Sequence, residues 1–321
     1  MLKRTKILLI LASVFLGVGT IIFGTTLALN NFDFKSLDGA RFESKNYEFS
    51  EDFTDISILT SDADISFIYS DLDACKVECY QKENTPYSAV VKDSKLEILE
   101  DNNKGIFDFI NLFNFKKPTI TIYLPKTEYL SLKITTDTGD INLPNNFNFT
   151  SVEIKGSTGD INFNSSCSNK VKISLSTGNI NLFDCKVESL DLVVSTGDIT
   201  ANKLTCINDL TCIISTGEID FENLTAKNLT ITGSTSDVDF VGVVLTEKLK
   251  VTLSTGDFEF YKCDANTIEI KTNTGDVMGT LLTTKEFDAI TNTGYKSLPS
   301  EQYGNKCFIR TSTGNINIKI A

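Results

Sequence analysis

A five-residue phrase, Ser-Thr-Gly-Asp-Ile or a close variant, recurs ten times from residue 137 onward, and its spacing constrains the fold more than any other feature. Its glycine column runs Gly139, Gly159, Gly178, Gly197, Gly217, then Ser236 as a substitute, then Gly256, Gly275, Gly294 and Gly314, always 19 or 20 residues apart. Counted from that glycine, positions −7, −5 and −3 are mostly apolar, as in Val171, Ile173, Leu175 and Leu249, Val251, Leu253. Positions +2 and +4 (Ile161, Phe163; Phe258, Phe260) and +7 and +9 (Leu224, Ala226; Val243, Leu245) continue the alternation. Polar residues fill the gaps. That is period-two patterning in three short strands per repeat, which no helical spacing fits.

One such repeat cannot bury its apolar face alone, whereas stacked repeats can. The expected fold is therefore all-β, a parallel β-helix or β-solenoid with 19–20-residue turns about 4.8 Å apart. Glycine suits the corner because it takes positive φ without a Cβ clash. Asp or Asn beside it hydrogen-bonds backbone locally. The residue before it is Thr in all ten repeats, from Thr138 to Thr313, and a stacked Thr column packs methyls and shares hydroxyl bonds between turns. Ser61-Asp62-Ala63-Asp64-Ile65 reads as a degenerate first corner, 76 residues before Gly139, or four periods of 19.

Ahead of the repeats, Ile7 to Leu29 is 23 residues without a charge, preceded by Lys3, Arg4 and Lys6. A helix of that length crosses the hydrocarbon core, and its basic flank favours the cytoplasmic side. The expectation is one transmembrane helix contacting the membrane through residues 7–29, with a cytoplasmic N-terminus and the bulk outside. The alternative is a cleaved signal segment, which makes the chain secreted. The domain reading is 1–29 anchor or signal, 30–46 linker, 47–135 N-terminal β region with a hydrophobic insertion at 105–115, and 136–321 regular repeats. Short strands are expected at Asp64–Tyr69, Cys75–Tyr80 and Lys95–Leu99. In the insertion, Ile106, Phe109, Ile110 and Phe113 share one helical face, either as a cap over the end of the solenoid or as an interaction patch. The far end, Ile316 to Ala321, carries no evident cap beyond Lys319.

All 42 acidic residues follow the apolar run but only 27 of the 30 basic ones do, so that part carries a net charge of −15. Such a surface repels nucleic acid. With no histidine, the usual general base and commonest zinc ligand are absent, and no Trp platform exists for sugar stacking. No cofactor and no catalytic set is expected, since outward positions vary and no acid–base pair converges. The corner acids Asp140, Asp160, Asp198, Asp237, Asp257 and Asp276 are calcium candidates, because stacked carboxylates repel and a cation relieves that. Asn179, Asn315 and Tyr295 occupy the same column, however, which favours turn chemistry. An ice-binding reading of the Thr column needs a second outward column, and position −3 is Thr only at 136, 272, 291 and 311.

Eight cysteines in an exported chain suggest disulfides. The register argues for buried thiols instead: Cys185 and Cys263 sit at +7, Cys206 at +9, Cys212 at −5 and Cys307 at −7, all inward. Cys75 and Cys79 flank Val77 on one strand face. Cys167 and Cys185, 18 residues apart, are the one pair expected to stack closely enough to bond.

The corners, the Ser61–Ile65 variant and Ile120-Thr-Ile-Tyr-Leu-Pro-Lys126 together resemble the bacterial "putative adhesin" family of β-strand repeat proteins, a domain of unknown function, over roughly residues 47–320. The resemblance implies a β-solenoid fold and an envelope location; some similar proteins accompany envelope-stress signalling systems. The eight cysteines depart from the general pattern. The expected function is a non-enzymatic, adhesin-like binding or scaffold module, facing an envelope polymer or a protein partner. Alternatives are an accessory component of an envelope-stress sensing membrane complex and a polysaccharide-active β-helix enzyme.

Overall fold

The computed structural model describes residues 3–29, 41–101, 116–145 and 147–321. The expected patch of Ile106, Phe109, Ile110 and Phe113 lies outside the described residues, as does most of the expected linker. Lys3–Leu29 is an α-helix, and its stretch Leu8–Leu29 is long and apolar enough to cross a membrane.

The other described residues are all-β, and the repeats wind into a parallel solenoid. Alternation dictates this packing: Val171, Ile173, Leu175, Ile161, Phe163, Leu224 and Ala226 are all buried. Their columns run in register, as in Leu132–Val152–Val171–Leu190 and Ile141–Ile161–Ile180. Phenylalanines fill the middle of the core, with Phe221 stacked on Phe240 at 5.4 Å and Phe240 edge-on to Phe258 at 5.1 Å. Successive corners stack so closely that a Cβ on Gly159 would collide with the carbonyl of Gly139. Gly159 has φ +130°, so both its conformation and its neighbour exclude a side chain. Ser236 escapes because its φ is not positive, and Gly233, three residues earlier, leaves the room its Oγ occupies.

A second corner lies six residues after the first. Asp184, Lys203, Asn223 and Lys262 adopt left-handed φ of 53–57° there, and Gly242 takes 66°. Its mixed chemistry hides it in the sequence.

The coils do not stack in chain order, which corrects both the four-period spacing expected between Ala63 and Gly139 and the far end expected at Ile316 to Ala321. The Ala63 corner is not four periods from Gly139 but directly beneath it, with Thr138 N–H donating to Ser61 O at 2.7 Å. The intervening chain builds the coil on the other side of Ala63, where Lys95–Leu99 pairs with Asp55–Leu59 and Thr119–Pro125 with Asp64–Ser70. Antiparallel strands then close this end: Tyr87–Lys92 returns on Lys95–Glu100 through Asp93 and Ser94, both with positive φ as a tight hairpin requires. Cys75–Lys82 lies against Thr119–Tyr123 and carries Phe42–Phe49 on its outer edge. Residues 42–46, expected as linker, are thus strand.

At the other end the C-terminal segment is inserted one place early. Gly275 N–H donates to Thr313 O and Gly314 N–H to Thr293 O, both at 2.9 Å, so the Gly314 coil lies between those of Gly275 and Gly294. Ile316–Ile320 is therefore not a bare edge: it pairs fully with Val277–Leu281 and, through Ile316 and Asn317, with Lys296–Ser297. The outermost strand is Lys285–Thr293, whose buried Lys285 reaches Asp264 at 2.5 Å, Ala265 O at 2.9 Å and Thr283 Oγ1 at 2.9 Å. An inward charge of this kind discourages strand addition and ties the last coil to the body.

Candidate binding groove

The six calcium candidates do stand in one column, and each has a hydrogen-bonding role there. The Oδ1 of Asp140 accepts the N–H of Asp160 at 2.9 Å, and that of Asp160 the N–H of Asn179 at 2.8 Å. Asn179 serves Asp198, Asp198 serves Glu218, Asp237 serves Asp257, Asp257 serves Asp276, and Asp276 serves Asn315, all at 2.7–2.9 Å. Asn works as well as Asp because only a carbonyl-type oxygen is needed. Tyr295 closes the ladder: its N–H donates to Asn315 Oδ1 at 3.1 Å, and no coil beyond needs an acceptor. Among the described residues, no group of three acidic or thiol side chains is arranged to hold an ion.

The ladder breaks once, between Glu218 and Asp237, where strands 209–222 and 225–241 run straight through the corner. Beside the break, partial burial and the nearby Glu218, Asp220 and Asp237 push the Asp239 carboxyl up to about 6.

All eight cysteines are buried and free. Burial pushes the thiols of Cys75, Cys79, Cys185 and Cys307 up to about 12, which makes them poor nucleophiles. The expected Cys167–Cys185 stacking does not occur. Cys167 pairs in register with Val187, and Cys185 with Leu204, because the register shifts between Cys167 and Lys170. The Thr column is in register but exposed, and the Ser column one residue earlier is exposed too. Position −3 is inward, with Thr136, Thr272 and Thr311 buried. The hydroxyls at −1 make no bonds to one another among the described residues, contrary to expectation.

What sequence reasoning missed is a groove on the third face. Inward Tyr129, Phe149 and Cys167 form its sealed floor, with Tyr129 and Phe149 rings 5.8 Å apart. Register shifts between Phe149 and Ser151 and between Cys167 and Lys170 bow this face into a hollow of about 340 Å³. Its walls come one coil at a time. Asn148 lies in register between Glu128 and Ser166, and the Cys167–Val187 pairing sets Lys186 over Ser166. A second row adds Thr150, Ser168, Glu188 and Ile207. Glu188 is steadied by Asn208 Nδ2 at 2.6 Å. Among the described residues, the side chains of Glu128, Asn148, Ser166, Ser168 and Lys186 have no hydrogen-bond partner, so all five face solvent ready to bond. A hollow of about 450 Å³ beside Tyr261 carries the carboxylates of Asp239 and Glu259, and among the described residues its lining has no basic or amide side chain.

The family model described as Toastrack DUF4097 matches residues 53–206 and 203–321. No curated protein sequence matches the chain. Among solved structures, a "putative adhesin" of Parabacteroides distasonis is 17% identical, covers 88% of this chain and 98% of its own, and superposes with a TM-score of 0.51. A second, from Bacteroides fragilis, is 17% identical over 88% and 99% of the two chains with a TM-score of 0.42. A third, from Parabacteroides merdae, is 17% identical over 75% and 97% with a TM-score of 0.43. The first of these supports the same solenoid fold.

Proposed function

Because the chain belongs to the Toastrack family, we propose that it is a non-enzymatic binding module of the cell envelope, tethered by Leu8–Leu29 with its solenoid outside the cytoplasm. The observation that carries this reading is the groove of Glu128, Asn148, Ser166 and Lys186: several coils converge on it with hydrogen-bonding groups that have no partner among the described residues. A rigid, pre-formed hollow with a sealed apolar floor and a polar rim suits recognition. It suits hydrolysis poorly. Glu128 and Glu188 lie about three strand spacings, or roughly 14 Å, apart, well beyond the 5–9.5 Å that paired glycosidase carboxylates need. The missing histidine removes the commonest alternative base. Lys3, Arg4 and Lys6 ahead of the helix support export, and the net charge of −15 after it favours an uncharged or basic partner.

Two measurements test the reading. Protease added to intact cells should remove the solenoid and leave the N-terminal helix in the membrane; full protection of residues 41–321 refutes the orientation. Full-length protein in lipid nanodiscs should co-sediment with envelope material from its own cells. Absence from that fraction at every salt concentration refutes the binding role.

A further inference from the structure

We infer that the groove takes an uncharged, β-linked glycan chain laid along the solenoid axis, one sugar ring over each coil. This deepens the binding role proposed above and rests on it.

Spacing makes the first argument. The column Glu128, Asn148, Ser166, Lys186 presents one side chain per strand spacing, about 4.8 Å. An extended peptide crossing the strands advances about 3.4 Å per residue and falls out of step within two coils. Nor can a peptide add as a strand within the groove, because the coils from Asn148 to Lys186 are paired on both sides. A β-linked pyranose chain advances by close to one strand spacing per ring, so each ring meets the same two outward positions of the next coil.

Chemistry makes the second. Successive coils offer a carboxylate (Glu128), an amide (Asn148) with a hydroxyl (Thr150), two hydroxyls (Ser166, Ser168), and an ammonium beside a carboxylate (Lys186, Glu188). This is a mixed donor and acceptor set, matched to ring hydroxyls and amides, each of which both donates and accepts. A polyanion is disfavoured: among the described residues Lys186 is the one cation lining the groove, against the two carboxylates of Glu128 and Glu188, on a chain of net charge −12. The set also differs from coil to coil, unlike the uniform Ser-Thr-Gly-Asp corner. Such variation gives one binding register and one direction along a polymer, as specific recognition requires.

The test uses full-length protein in lipid nanodiscs and titration calorimetry with three probes: chitohexaose, cellohexaose and polyglycerol phosphate. One variant, Asn148→Ala with Ser166→Ala, strips two groove side chains that have no partner among the described residues. A control, Ser195→Ala with Thr196→Ala, strips the same area from the corner ridge. The expected result is saturable binding of a neutral hexamer, weakened about tenfold or more in the groove variant and unchanged in the control. Preference for chitohexaose points to an acetamido-bearing wall glycan, and preference for cellohexaose to a plain one. Equal binding by groove variant and wild type overturns the assignment, as does groove-dependent binding of polyglycerol phosphate alone. If neither neutral probe binds while wild-type protein still sediments with envelope material, the glycan inference fails and the binding role stands; if sedimentation fails as well, both fall.

Discussion

Replacing one corner glycine measures how rigidly the coils are stacked. In Gly197→Ala, the new Cβ would collide with the carbonyl of Gly178 while the residue is held at φ +136°, a conformation open essentially to glycine alone. Holding an alanine there costs about 1–3 kcal/mol. The collision is with backbone, so it is relieved only by moving one coil from its neighbour. That movement strains the Gly178 N–H bond to Thr196 O (2.9 Å) and the Asp198 N–H bond to Asn179 Oδ1 (2.9 Å), each worth about 1 kcal/mol. The total is roughly 3–5 kcal/mol, a large part of a typical stability margin. Ser236→Ala is the matched control: it occupies the same column without positive φ, and it removes a buried Oγ that lacks a hydrogen-bond partner. It should be neutral or stabilise by about 1 kcal/mol. Urea unfolding of full-length protein in mild detergent provides the comparison. Hydrogen exchange should place the lost protection in the Gly178, Gly197 and Gly217 coils, as nearest-neighbour coupling requires. A loss below 1 kcal/mol for Gly197→Ala, or equal losses for the two variants, refutes the reasoning.

Three further outcomes follow from particular side chains. Lys262→Gly should stabilise by about 0.5–1 kcal/mol in thermal unfolding, because lysine is held at φ 54° where glycine is unstrained. Asp239→Asn should stabilise the fold by about 1 kcal/mol at pH 7.5 after allowance for solvent screening, read as a raised melting temperature, but not at pH 4. The folded carboxyl titrates near 6 rather than at its ordinary value, so the folded state holds the proton more tightly and the wild type loses this contribution as pH rises from about 4 to 6. Lys285→Met should cost about 3 kcal/mol by leaving a mostly buried Asp264 carboxylate without its cation, and adding Asp264→Leu should recover most of that loss, both read from urea midpoints.

The coil itself was legible because a 19–20-residue beat with period-two burial has one physical solution, and Val171, Ile173 and Leu175 sit where that solution puts them. Coil order was less legible. In a parallel ladder any repeat can lie on any other, so the apolar pattern of the Gly294 and Gly314 repeats does not say which is outermost. One signal was present. Tyr295 is the residue in the Asp/Asn column that cannot accept an N–H through a carbonyl-type oxygen, and the terminal coil is the one place that needs no acceptor. The αL corner escaped notice because Asp, Lys, Asn and Gly share it. The groove escaped because outward residues that differ from coil to coil look like unconstrained surface. Their meaning comes from register, in which Glu128, Asn148 and Ser166 become neighbours.

Distances along the Thr column test the stacking most directly. Spin labels introduced as unnatural amino acids, which leave the buried cysteines alone, can be placed at Thr158 with Thr255, Thr313 or Thr293, and the spacings read by double electron–electron resonance. At about 4.8 Å per coil the account gives about 24 Å to Thr255, about 34 Å to Thr313 and about 38 Å to Thr293. Thr293 should therefore lie farther from Thr158 than Thr313 does, although it comes earlier in the chain. The reverse order contradicts the inserted C-terminal coil, and a Thr158–Thr255 distance far from five strand spacings contradicts the solenoid itself.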